Sequence, residues 1–206
     1  MSEYLEVKEH TKLKKYTILR KYIDVCIVFF KKYRNFCYVD THGGTGRIKF
    51  KGLLEEGSPL IAAKAAEGFP CYVVEIDDVR FKLLQESVQG LDNVQLIHED
   101  CNEVIDTILN QIPKGQVFVC CFLDPSGLVY EGKYLGKNVK RPQLTWESVK
   151  KIGEFPRSEI LINFPLETIK RFAGYFHKRP DDPASKEYDK HLTTFFGTEE
   201  WKGERT

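Results

Sequence analysis

The apolar positions along the chain fall into two rhythms. Leu19, Ile23, Cys26, Ile27 and Phe30 recur at three- and four-residue intervals, the spacing of one helix face. This predicts a helix from near Thr11, a suitable cap, to near Tyr33. Short, nearly unbroken apolar runs predict buried strands at residues 36–40, 71–76, 94–98, 117–123 and 159–164. Helical stretches lie between them. Ser58-Pro59 opens an alanine-rich one, because serine caps and proline suits the first helical position. Asp77 or Asp78 precedes one with Val79, Leu83 and Val88; the next carries Val104, Ile105, Ile108, Leu109 and Ile112. Thr145 caps a short helix with Trp146, Val149 and Ile152, and Ile169, Phe172, Ala173 and Phe176 mark another. Residues 126–143, with Gly127, Gly132, Gly136 and Pro142, read as a long irregular loop. The charged tail from Lys178 carries no assigned element. Strands alternating with helices predict an α/β fold: a doubly wound, mainly parallel sheet with helices on both faces, as one domain over residues 1–206.

Composition narrows the setting. The chain has 206 residues and a formal net charge of +1, so any nucleic-acid contact must rest on local charge. Residues 1–35 carry a net of +5 and residues 127–141 a net of +3. These are either solvated lysine-rich faces or a basic rim around a cleft. The six cysteines form no C-x-x-C pair and mostly lie in apolar runs, which argues against metal and disulfide roles and suits a reducing cytoplasm. The charged N-terminus does not read as a secretory signal, and no apolar run is long enough to span a membrane.

The strand ends hold the chemistry. Asp40 and the turn Thr41-His42-Gly43-Gly44-Thr45-Gly46 follow the first strand, Glu75 the second, Asp100 the third and Asp124-Pro125 the fourth. In a doubly wound sheet such ends face one crevice. Gly43, Gly44 and Gly46 would let the backbone approach a ligand. Glu75 would accept hydrogen bonds from ribose hydroxyls, Asp100 would hold an adenine amine, and Asp124 would lie nearest the reacting atom. The turn is not the dinucleotide fingerprint, and no P-loop is present. Simpler roles compete. Glu75, Asp77 and Asp100 also suit helix caps, and Asp124 a turn. His42 also suits a satisfied structural histidine, and Cys101 a small packed residue.

The stretches 38–47 and 57–62 resemble the three-Cys-motif partner family, TcmP. They are more distantly similar to the bacterial methyltransferase of a large-subunit ribosomal RNA adenine. Further matches are Lys15-Tyr16-Thr17-Ile18-Leu19 with Tyr22, Phe122-Leu123-Asp124-Pro125-Ser126-Gly127, Glu159-Ile160-Leu161-Ile162-Asn163-Phe164, and Phe196-Gly197 with Trp201. The resemblance implies a Rossmann-like class I methyltransferase fold that binds S-adenosylmethionine. His42, Ser58, Glu75, Asp100 and Cys101 would line the cofactor site, with Asp124 at the catalytic position. Two departures stand out. The families often show Lys-His where this chain has Lys15-Tyr16. Adenine-amine enzymes carry Asp-Pro-Pro-Tyr where this chain has Asp124-Pro125-Ser126-Gly127, so the ring that would stack on a flipped base is missing. Family members run longer, which leaves open that a C-terminal region of the fold is absent.

The expected function is therefore S-adenosylmethionine-dependent methyl transfer to nucleic acid, RNA or DNA, with an exocyclic base amine as one candidate acceptor. Asp124 and the Pro125 carbonyl would orient the attacking amine. The alternative is a catalytically inactive cofactor-binding or partner-binding module, the family name implying a cysteine-rich partner protein. A nicotinamide-dependent oxidoreductase is a weaker third reading.

Overall fold

The computed structural model describes residues 4–8, 15–31 and 35–203, so the helix limits expected at Thr11 and Tyr33 lie outside the described residues. The chain runs α1 (Thr17–Lys31), β1 (Phe36–Asp40), a hairpin of β2 (Arg47–Phe50) and β3 (Leu53–Glu56), α2 (Ser58–Ala65), β4 (Cys71–Val74), α3 (Asp78–Ser87), β5 (Val94–Ile97) and α4 (Cys101–Gln111). It continues through β6 (Phe118–Leu123), a second hairpin of β7 (Val129–Tyr134) and β8 (Lys137–Pro142), α5 (Trp146–Glu154), β9 (Ser158–Ile162), α6 (Leu166–Lys178) and α7 (Pro183–Phe196). The five strands expected from apolar runs form one all-parallel sheet in the order β5–β4–β1–β6–β9. The fold is α/β, Rossmann-like and doubly wound.

Alternation along each strand divides the core into two layers. Cys37, Val39, Val74, Val119 and Cys121 face α4, α5 and α7. Phe36, Tyr38, Cys71, Cys120 and Phe122 face α1 and α2. On α1, Leu19, Ile23 and Cys26 are buried as the spacing requires, while Phe30 lies outside the described side chains. Each fully buried aliphatic side chain of this kind contributes about 1.5 to 3 kcal/mol. All six cysteines are free and buried. Cys37, Cys101 and Cys121 belong to the first layer, and Cys26, Cys71 and Cys120 to the second.

Three expectations need correction. Residues 126–143 are not an irregular loop: 129–142 form the β7–β8 hairpin, paired from Val129↔Pro142 to Tyr134↔Lys137. Residues 47–56, for which no strand was expected, form the β2–β3 hairpin. Each closes through two residues with positive φ, Lys51-Gly52 (49° and 78°) and Leu135-Gly136 (49° and 77°), the mirror-image turn that matches strand twist. The charged tail contains α7. Asp182 caps it by accepting from the Ala184 amide at 2.8 Å, Pro183 takes its first position, and Gly197 ends it at φ 71°. Its buried Leu192 and Phe195 join the first core layer.

Strand order reverses at β1, with β4 and β5 on one side and β6 and β9 on the other. The turn after β1 is stitched across this point. The Thr41 amide donates to the Phe122 carbonyl (3.1 Å) and the Gly43 amide to the Val74 carbonyl (2.8 Å). No helix among the described residues is long and apolar enough to cross a membrane.

Candidate functional site

A cavity of about 180 Å³ opens at the carboxyl ends of β1, β4, β5 and β6, lined by His42, Gly44, Glu75, Asp100, Cys101 and Asp124 among others. A second cavity, about 470 Å³, is lined by Gly43, Gly44 and Gly46 and adjoins the first through Leu5, Gly44, Arg80 and Ser126. The N-terminal segment borders both. It is held to β2 by the Lys49 amide donating to the Leu5 carbonyl (2.9 Å) and the Val7 amide donating to the Lys49 carbonyl (2.8 Å).

Glu75 is buried, and both its oxygens accept backbone hydrogen bonds, from the Gly44 amide (2.8 Å) and the Asp77 amide (2.9 Å). Burial raises its carboxyl above the ordinary range against the pull of these donors. Each oxygen keeps a second lone pair for a ligand hydroxyl. Asp100 caps α4 by accepting from the Asn102 amide (2.9 Å), and its other oxygen meets the Arg141 guanidinium at 3.3 Å. Asp77 caps α3 and does not line the cavity. Thus Asp100 is both cap and cavity wall, while Asp77 is a cap that also accepts from the Tyr130 hydroxyl (2.9 Å).

Asp124 sits between two partners. One oxygen accepts from the Asn163 side-chain amide (2.7 Å), and the other is ion-paired with Lys15, which also lines the cavity. Burial alone would lower the pKa of the Lys15 ammonium, but the Asp124 carboxylate, with smaller help from Tyr16 and Asp40, holds it above its ordinary value. Asp40 is fully buried behind this pair and does not line the cavity. Burial pushes its carboxyl up to about 7. It accepts from the His42 amide (3.1 Å), and Ser58, also buried, bonds to it rather than facing the cavity.

His42 is satisfied on both ring nitrogens, by the Thr41 hydroxyl (2.7 Å) and the Gln143 carbonyl (3.0 Å). A carbonyl only accepts, so Nε2 carries the proton, and burial lowers the imidazole below its usual value. Cys101 donates to the same carbonyl at 3.3 Å, and burial pushes its thiol up. Both are packed members of the wall rather than reactive groups.

The glycines divide by role. A Cβ on Gly43 would stand 2.4 Å from Val73 Cγ1, and one on Gly46 2.8 Å from Ser87 Cβ, so both are required for packing against the sheet and α3. A Cβ on Gly44 meets nothing within 4 Å, and this glycine alone of the three lines both cavities.

The β7–β8 hairpin closes the far end. The amides of Leu135 and Gly136 both donate to Asp78 at 2.8 Å, and the Tyr134 hydroxyl donates to Glu99 at 2.7 Å. Gln143, just past the hairpin, accepts from the Ser126 amide (2.8 Å). The basic stretch 127–141 is partly neutralised, because Lys140 pairs with Glu131 and Glu187, and Arg141 with Asp100. Lys133 and Lys137 stay exposed beside the turn.

Lys15, Arg80, Tyr130, Gln143 and Asn163 join the wall without having been singled out as site residues. Asn163 directly follows the fifth strand and Lys15 lies in a quoted stretch of the resemblance, so both carried a signal; Gln143 carried none. Among the described residues, the wall holds four carboxyl groups, Glu75, Glu99, Asp100 and Asp124, against two cations, Lys15 and Arg80. Such a lining disfavours a pyrophosphate and suits a neutral or cationic ligand.

Fold and site together define a doubly wound α/β protein with an acid-walled cleft at the point where strand order reverses. No family model matches the chain, and no curated protein does. Among solved structures, protein LPL1258 from Legionella pneumophila str. Philadelphia 1, which carries the family-model label DUF519, is similar at a TM-score of 0.40 and 15% sequence identity. The match covers 52% of this chain and 55% of that one, so the chain spans about half the length of that protein.

Proposed function

We propose that this chain is an S-adenosylmethionine-dependent methyltransferase acting on nucleic acid. The observation that carries the reading is the convergence of Gly44, Glu75, Asp100 and Asp124, from four successive strand ends, on one cleft. The acid-rich wall fits the cofactor's sulfonium and ammonium charges. Glu75, held by two backbone amides, presents free lone pairs to ribose hydroxyls, and Asp100 stands at the next strand end for the adenine amine. When bound, the cofactor supplies an electrophilic methyl group. Asp124, steadied by Asn163 and Lys15, accepts a hydrogen bond from an attacking amine and orients its lone pair, while Pro125, also expected to accept from the amine, is buried and does not line the cavity. The free thiols suit a reducing cytoplasm, and the family name behind the TcmP resemblance adds a cysteine-rich protein as a candidate partner.

The test is calorimetry with S-adenosylmethionine, followed by labelled-methyl transfer to bulk RNA, DNA and protein. Wild type should bind the cofactor and label nucleic acid. Glu75→Ala should weaken cofactor binding about ten-fold or more, as expected for lost charged hydrogen bonds. Asp124→Ala should abolish transfer and spare binding. Undiminished transfer by Asp124→Ala refutes its role, and binding without transfer to any acceptor marks an inactive module.

A further inference from the structure

The acceptor side of the cleft lacks an aromatic ring on the Asp124 loop. Position 127 supplies no ring, because the residue there is a buried glycine. The neighbouring strand supplies a ring instead. The Asn163 amide donates to the Leu123 carbonyl at 2.8 Å, which carries the β6–β9 ladder past the strand ends. Asn163 lines the cavity, and the residue that follows it from the same strand end stands just outside the lining. That residue is Phe164.

Phe164 is 47% exposed, although its ring is held from behind. Phe195 meets it edge-on with centroids 5.3 Å apart, and Phe196 lies tilted at 6.1 Å. Leu166, 49% exposed, extends the apolar surface. A single exposed phenylalanine is ordinary. A ring half open to solvent, buttressed by two others and adjacent in sequence to the side chain that orients Asp124 is a pre-formed stacking surface.

We propose that Phe164 is the surface on which an unpaired nucleobase stacks when its amine is presented to Asp124. The inference rests on the methyltransferase reading and names the acceptor class: a splayed or single-stranded base, not a protein side chain.

The test uses a single-stranded oligonucleotide carrying 2-aminopurine, whose fluorescence is quenched by stacking, alongside labelled-methyl transfer to the same sequence. Phe164→Leu keeps an apolar contact with Phe195 but removes the aromatic face; Phe164→Trp enlarges it. Phe164→Leu should weaken oligonucleotide binding about ten-fold, the size of one lost base–aromatic stack. It should lose the quenching and raise KM for the oligonucleotide, with S-adenosylmethionine affinity unchanged, and Phe164→Trp should bind at least as well as wild type. Equal binding and quenching by wild type and Phe164→Leu would overturn the proposal. So would transfer confined to protein, which leaves the methyltransferase reading standing. Failure of wild type to bind S-adenosylmethionine removes that reading instead, and the stacking surface is still decided by the fluorescence comparison.

Discussion

Asp40 offers a quantitative test of how the site is built. It is fully buried, and burial raises its carboxyl to about 7. An unfolded aspartate ionises near pH 3.9, so between about pH 4 and pH 7 the folded chain holds a proton that the unfolded chain has lost. Stability therefore falls as pH rises through this window. The slope is about 1.4 kcal/mol per pH unit, so the full cost of ionising Asp40 in place is on the order of 4 kcal/mol. Asp40→Asn preserves the shape and the acceptor for the His42 amide but cannot ionise. Other groups titrate nearby: burial also raises Glu75 and lowers His42. The difference between the two proteins cancels these. Urea denaturation at about pH 5 and pH 8 should show wild type losing roughly 3 kcal/mol relative to Asp40→Asn across the interval. Parallel stability curves for the two proteins would refute the assignment of a protonated, buried Asp40.

Further outcomes follow from the same geometry. Gly43→Ala should cost about 1 to 3 kcal/mol in urea denaturation, because its methyl collides with the stiff, buried Val73. Gly44→Ala, at φ 61° in open space, should cost only about 1 kcal/mol but weaken S-adenosylmethionine binding by calorimetry. Asp78→Ala removes the acceptor of two turn amides, so hydrogen exchange at Leu135 and Gly136 should accelerate while that of β1 is unchanged. Lys15→Met strands the partly buried Asp124 carboxylate, lowering stability by on the order of 3 kcal/mol, and Asp124→Asn in the same chain should recover most of it in a double-mutant cycle.

The central sheet was legible because its inner strands β1, β4 and β6, buried on both faces, read as continuous apolar runs. β1 and β4 are buried at every position. The hairpins were not, for two reasons. Lys51-Gly52 and Leu135-Gly136 lack the asparagine or aspartate that marks this turn, and β8, Lys137-Asn138-Val139-Lys140-Arg141-Pro142, has no apolar alternation. Helix α7 had readable ends in Asp182-Pro183 and Gly197, but its apolar face is thin among charges. The acids of the cleft were legible because each ends a buried strand. That Asp40 and Ser58 face inward, and that Gln143 and Lys15 complete the wall, depends on contacts between segments far apart in sequence, which no local pattern encodes.

The distribution of cysteines makes the molecule its own reporter of opening. Three thiols lie on each side of the sheet, and burial pushes those of Cys71 and Cys121 up to about 12. Alkylation of these two in the intact protein is slow for want of both thiolate and access, while Cys26, its thiol pKa lowered by the hydrogen bond with Cys120, is protected by burial alone. Reagent uptake then times the separation of each helix layer from the strands, Cys26 and Cys120 for one side, Cys37 and Cys121 for the other, with no label introduced by mutation.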